Sequence, residues 1–140
     1  MGASLETGRV RRPSISIAIC GLMALAALAF AGASIIHFGT VIALGPITVD
    51  DPFPGAAIPE AVIAVVLGIG ALSVLTRRPS HWGIAVAATL FALLLTLYGL
   101  TVTVSSARTG DIAYHVAVLL LSVGIVSLLL LPAGRQGLSR

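Results

Sequence analysis

Arg77-Arg78-Pro79-Ser80 lies near the middle of the chain, and its reading decides the fold. Paired arginines stay in water on the side of a membrane that collects positive charge, proline ends what precedes it, and serine is suited to cap a following helix. The same residue types stand at Arg11-Arg12-Pro13-Ser14, and each copy precedes a long apolar run. Outward from these turns the apolar residues fall into four blocks, at about 15–36, 58–75, 82–104 and 112–131. Each is close to the ~20 residues that cross hydrocarbon as a helix. The expected fold is therefore an all-α integral membrane protein, a four-transmembrane-helix bundle of two hairpins. A longer outer loop, 37–57, joins helices 1 and 2, and residues 1–14 and 133–140 form tails.

Composition points the same way. The chain has 140 residues, of which 58% are hydrophobic and 9% charged, against roughly 25% charged in an ordinary soluble domain; its mean hydropathy is +1.11. The net charge of +3 comes from eight arginines and no lysine. Seven of the arginines lie with the termini and the central turn, and Arg108 alone lies with the outer loops. That asymmetry follows the positive-inside rule, so both termini are expected in the cytoplasm and the protein in the cell membrane. Arginines at the ends of apolar blocks do not form a stripe that tracks phosphates, so the lipid bilayer is the expected partner and nucleic acid is not. The first apolar run covers 22 residues, longer than the 7–15 of a signal peptide's apolar region, and is read as a retained span. Cys20 has no second cysteine to pair with and is read as a packing residue.

Finer features follow from local chemistry. Residues 40–49 carry a Gly45-Pro46 break between two β-rich arms, which favours a small hairpin, and Asp50 and Asp51 read as loop acids that stay in water. Pro59 and Glu60 suit the first turn of the second helix, Ser80 the cap of the third and Asp111 the cap of the fourth; Trp82 suits the headgroup level. Overlaying the two hairpins places Gly70 on Gly124 and Ser73 on Ser127, the pattern of an internal duplication. Small residues that let helices approach mark three seams. These are Ala85, Thr89, Ala92, Thr96, Gly99 and Thr103 on the third helix, Ala64, Gly68 and Ala71 with Glu60 on the second, and Ala117 with Gly124 on the fourth.

No Asp, Glu, Arg or His lies mid-span, which argues against a proton- or charge-coupled carrier. The ionisable candidates gather at the outer ends: His37 ends the first span, Glu60 begins the second, and Asp111 and His115 sit four residues apart on the fourth, with Ser122 deeper on their face. Two imidazoles and two carboxylates are a donor set for a divalent transition metal such as Zn²⁺ or Cu²⁺. Their separate alternative roles are helix capping, favourable interaction with the helix dipole and wetting of the interface. Haem is disfavoured, because His37 and His115 are the one same-side histidine pair. With no nucleophile elbow and no phosphate-binding loop, an enzyme is less expected than a non-enzyme. The leading expectation is a protein that works through helix-helix contacts, as an accessory subunit of another membrane protein or as a homo-oligomer. An outer-leaflet metal- or ligand-binding protein is the alternative, and a small-solute channel past Thr89 and Thr96 the third.

Overall fold

A computed structural model describes residues 15–77, 79–106 and 108–138. The N-terminal tail with its Arg11-Arg12-Pro13-Ser14 motif, Arg78 and residues 139–140 lie outside the described residues. The elements in chain order are α1 (Ile15–His37), β1 (Ile42–Leu44), β2 (Ile47–Val49), α2 (Pro54–Thr76), α3 (His81–Ser105), α4 (Thr109–Leu130) and α5 (Pro132–Leu138). Helix accounts for 82% of the described residues, and α1 to α4 are each long and apolar enough to cross a membrane. The chain is a membrane-embedded helical protein.

Each long helix packs on two others: α1 on α2 and α4, and α3 on α2 and α4. The core between them is built from Ile19, Met23 and Phe30 of α1, Ile63 and Leu67 of α2, Ala85 and Ala92 of α3, and Ile125 and Leu129 of α4. Leu28, Val65, Leu94 and Leu120 point outward, which costs nothing where the surroundings are hydrocarbon. On α3 the small-residue face is the buried one, with Ala85, Thr89, Ala92, Thr96 and Thr103 inside and Gly99 half-buried. The threonines do not bond across helices. Their hydroxyls donate to the carbonyls of Ala85, Ala92 and Gly99 on their own helix at 2.7, 2.6 and 2.7 Å, which satisfies the hydroxyls while the backbone stays accessible to neighbours. Where α2 meets both α1 and α3, a Cβ on Gly70 would lie 2.4 Å from Met23 Cε and 3.0 Å from Ala88 Cβ.

Several expectations are corrected. On α4 the buried face is Asp111, His115, Val118, Ser122, Ile125 and Leu129, so Ala117 and Gly124 face outward. Gly70 and Ser73 are buried while Gly124 and Ser127 are exposed, so the overlaid positions of the two hairpins differ in packing. Helix α2 starts at Pro54, which puts Pro59 inside it and Glu60 beyond its first turn. Pro54 needs no hydrogen-bond acceptor at that position, so the helix starts one turn earlier than Pro59 suggested. Helix α4 is preceded by Arg108, and Asp111 belongs to its first turn rather than to the cap. Ser80 precedes α3 in a left-handed conformation, φ 64°, and makes no capping bond, because an N-cap oxygen accepts from the N–H two or three residues on when its own backbone is extended.

Two further pieces complete the frame. Gly45, at φ 61°, opens the two-residue turn of the antiparallel β1–β2 hairpin, in which Ile42 pairs with Val49; glycine at the first central position is what a type II′ turn requires. Past Leu130, residues expected as tail form α5, which packs on α1, α3 and α4. Trp82 Nε1 donates to the Leu129 carbonyl at 3.0 Å, and the Arg135 guanidinium stacks 4.8 Å above the indole ring. That bond supplies a partner for one of the last carbonyls of α4.

Ser80→Ala should shift thermal unfolding in detergent very little, whereas Ser80→Gly should stabilise by about 1 kcal/mol through relief of the left-handed backbone. A loss of stability in the alanine variant on the scale of a capping bond would contradict this geometry.

Candidate functional site

The chemistry-bearing residues collect at the end of the bundle that holds the α1–α2 and α3–α4 connections. Two clips bring α1 against the start of α2 there. Ser34 Oγ donates to the Ala57 carbonyl at 2.7 Å, and the Phe53 N–H donates to the His37 carbonyl at 2.9 Å. They set the last residue of α1 opposite Glu60, and His37 Nδ1 lies 2.6 Å from Glu60 Oε2. Both side chains are buried, with relative exposures of 4% and 3%. With Glu60 as carboxylate, Nδ1 carries the proton and donates it, which leaves the Nε2 lone pair free.

Nε2 faces two more carboxylates. Nε2 is 3.6 Å from Asp111 Oδ1 on α4 and 4.0 Å from Asp51 Oδ2 in the loop before α2. The far oxygens of the same carboxylates are held by one side chain: Arg108 Nε donates to Asp111 Oδ2 and its Nη2 to Asp51 Oδ1. Hydrogen bonding to Asp111 first, and to Asp51 in addition, raises the Arg108 pKa above its ordinary value. The guanidinium also stacks 4.5 Å above the Phe53 ring, which stands nearly perpendicular to the His37 ring with centroids 6.0 Å apart. Phe53 therefore braces the arginine and the histidine together.

Of the four residues expected to share a site, His37, Glu60 and Asp111 come together and His115 stands apart. His115 Nδ1 lies 2.8 Å from the Asp111 backbone carbonyl. The carbonyl can only accept, so Nδ1 donates and Nε2 is the acceptor of the neutral ring. The ring then reaches across to α3, where a Cβ on Gly99 would lie 2.7 Å from Nε2. The absence of a side chain at Gly99 is what admits the imidazole. Beside it, a cavity of about 420 Å³ opens between α2 and α3, with Glu60 and His115 among its lining residues. Among the described residues, Glu60 Oε1 and Tyr114 Oη are buried without a hydrogen-bond partner.

Asp51 and Arg108 were not among the expected site residues. Asp51, whose turn-rich surroundings suggest a solvated loop acid, closes the cluster through His37 and Arg108. Arg108 did carry a signal, as the one arginine on the side the other seven avoid; a cation kept against that bias has a local anionic partner to hold it. Among the described residues, the group of His37, Asp51 and Asp111 is the one whose donor atoms converge, one atom of each lying within 4.8 Å of the others.

Fold and site together define a membrane-embedded helical bundle with a buried histidine-carboxylate cluster at one end. No family model, curated protein or solved structure matches the chain.

Replacing Arg108 with Gln leaves Asp51 and Asp111 facing each other without a cation. The variant should lose about 1–3 kcal/mol of stability in detergent, and adding Asp51→Asn should recover part of the loss, as read from unfolding transitions at low salt.

Proposed function

We propose that this chain is a metal-binding membrane protein that holds a divalent transition ion through His37 Nε2, Asp51 and Asp111. The convergence of these donors carries the reading, because each is fixed from behind with one atom left over: Glu60 orients the imidazole, and Arg108 holds both carboxylates by their far oxygens. Histidines that bind metals ordinarily donate their second N–H to just such a carboxylate. Zn²⁺ bonds of ~2.0–2.2 Å in tetrahedral geometry place donor atoms ~3.4 Å apart, so separations of 3.6 and 4.0 Å need little contraction. Charge supports the same reading. Three carboxylates face one guanidinium, and with neutral His37 two negative charges remain, matched by a divalent cation. Three protein donors leave a position for water or a further ligand.

The arginine asymmetry supports an orientation in which this end faces outward and both termini lie in the cytoplasm of a cell-membrane protein. Zn²⁺ titration by calorimetry, on protein in nanodiscs, tests the site. Binding should disappear in His37→Ala, weaken about 10–100-fold in Glu60→Gln, and persist in His115→Ala. Equal loss in His115→Ala, or no binding by the folded parent, would refute it.

A second reading, association with another membrane protein or with itself, is favoured by the outward-facing small residues of α4. Ala113, Ala117 and Gly124 face the surroundings on either side of the exposed Leu120, and small outward residues are where a further helix can pack closely. Ala117→Leu with Gly124→Leu should lower the oligomer mass measured by native mass spectrometry; unchanged mass would remove this reading.

A further inference from the structure

We infer that the cavity between α2 and α3 is a second binding site, distinct from the metal donors, for a lipophilic hydroquinone that enters sideways from the bilayer. Ile58 and Val62 on α2 and Tyr98 on α3 line it and are themselves exposed, so its mouth lies on the surface that meets acyl chains. Two titratable side chains, Glu60 and His115, belong to its lining. Glu60, one of the lining residues, spends Oε2 on His37, which leaves Oε1 buried and unpartnered. A buried carboxylate oxygen without a donor costs free energy unless a ligand supplies one. His115 donates its Nδ1 proton to the Asp111 carbonyl, so the nitrogen left at the cavity side, against Gly99, is an acceptor as well.

The Thr96 and Thr103 hydroxyls of the lining spend their protons on their own helix, so the two acceptors of Glu60 and His115 select a headgroup with two donors and no negative charge. A fatty acid brings one donor at most and, ionised, is repelled by Glu60. A hydroquinone presents two hydroxyls on a flat ring and carries an apolar tail that can remain in the bilayer. The ring has aromatic walls to meet, since Phe30, Phe53 and Tyr98 line the same cavity. The volume of about 420 Å³ accommodates a ring with the first part of a tail. This site does not depend on the metal reading, because it uses the free oxygen of Glu60 and a histidine outside the metal donor group.

The test measures binding of a decyl-substituted hydroquinone to the full chain in nanodiscs, by ligand-observed saturation-transfer NMR with competition. Its dimethyl ether, which has the same shape without donors, and a long-chain primary amine are the comparison probes. The hydroquinone should bind at least tenfold more tightly than the ether. His115→Leu should reduce that preference at least tenfold, and Val102→Trp, which fills the cavity, should abolish binding while Zn²⁺ binding and the unfolding transition stay as in the parent. Equal binding of the ether, tighter binding of the amine, unchanged binding in Val102→Trp, or no hydroquinone binding by folded parent protein would each overturn the proposal. Retained Zn²⁺ binding with no hydroquinone binding would count against this site alone, and the reverse against the metal site alone.

Discussion

Hydrocarbon offers a polar group nothing to bond to, and that constraint shapes nearly every polar side chain in this protein. Backbone groups answer it by forming four long helices. Hydroxyls answer it locally: Thr89, Thr96, Ser122 and Ser127 all donate to carbonyls four residues back on their own helices. Buried ionisable groups cannot be satisfied so cheaply, and among the described residues they gather at the end where Asp51, half-exposed, still reaches water. The His37–Glu60 bond is the strongest case, two titratable side chains buried against each other where each is the other's principal partner.

From that bond the remainder of the polar cluster follows by reach. Orienting His37 through Nδ1 aims Nε2 at Asp111 and Asp51, and Arg108 completes the arrangement from the far side of both carboxylates. Glu60 meanwhile bonds the histidine through one oxygen, keeps the other buried without a partner, and belongs to the lining of the lateral cavity. His115 lies on the cavity side because Gly99 lets its ring approach α3. One carboxylate thus stands at the junction of two candidate sites, each with its own chemistry.

Much of the frame was legible in the chain. Four blocks of sufficient apolar length are a local property, and the spacing of small residues on α3 located its buried face because the helical period alone decides which residues share a side. The same rule failed on α4. Ala117 and Gly124 share a face, yet small residues serve equally to admit a neighbouring helix or to line a lipid-facing surface, and it is Val118, Ser122 and Ile125 that point inward. Ser80 shows the corresponding limit at a turn: its chemistry suits a cap, but the tight link between α2 and α3 places it in a left-handed conformation where the cap cannot form. Asp51 was missed since nothing in a turn-rich loop reveals that it folds back over the bundle.

By itself the sequence determined that there are four spanning helices, that no charge sits at mid-depth, and that His37, Glu60, Asp111 and His115 all lie near the ends. These follow from local composition and the energetics of burying charge in hydrocarbon. Only the tertiary structure decided which of those ends meet. His37 and Glu60 are 23 residues apart in the chain, and Arg108 and Asp51 are 57 apart. A helix's length and polarity are written in its own residues, but a contact over such separations depends on how helices rotate against one another and where a loop returns, quantities set jointly by all four.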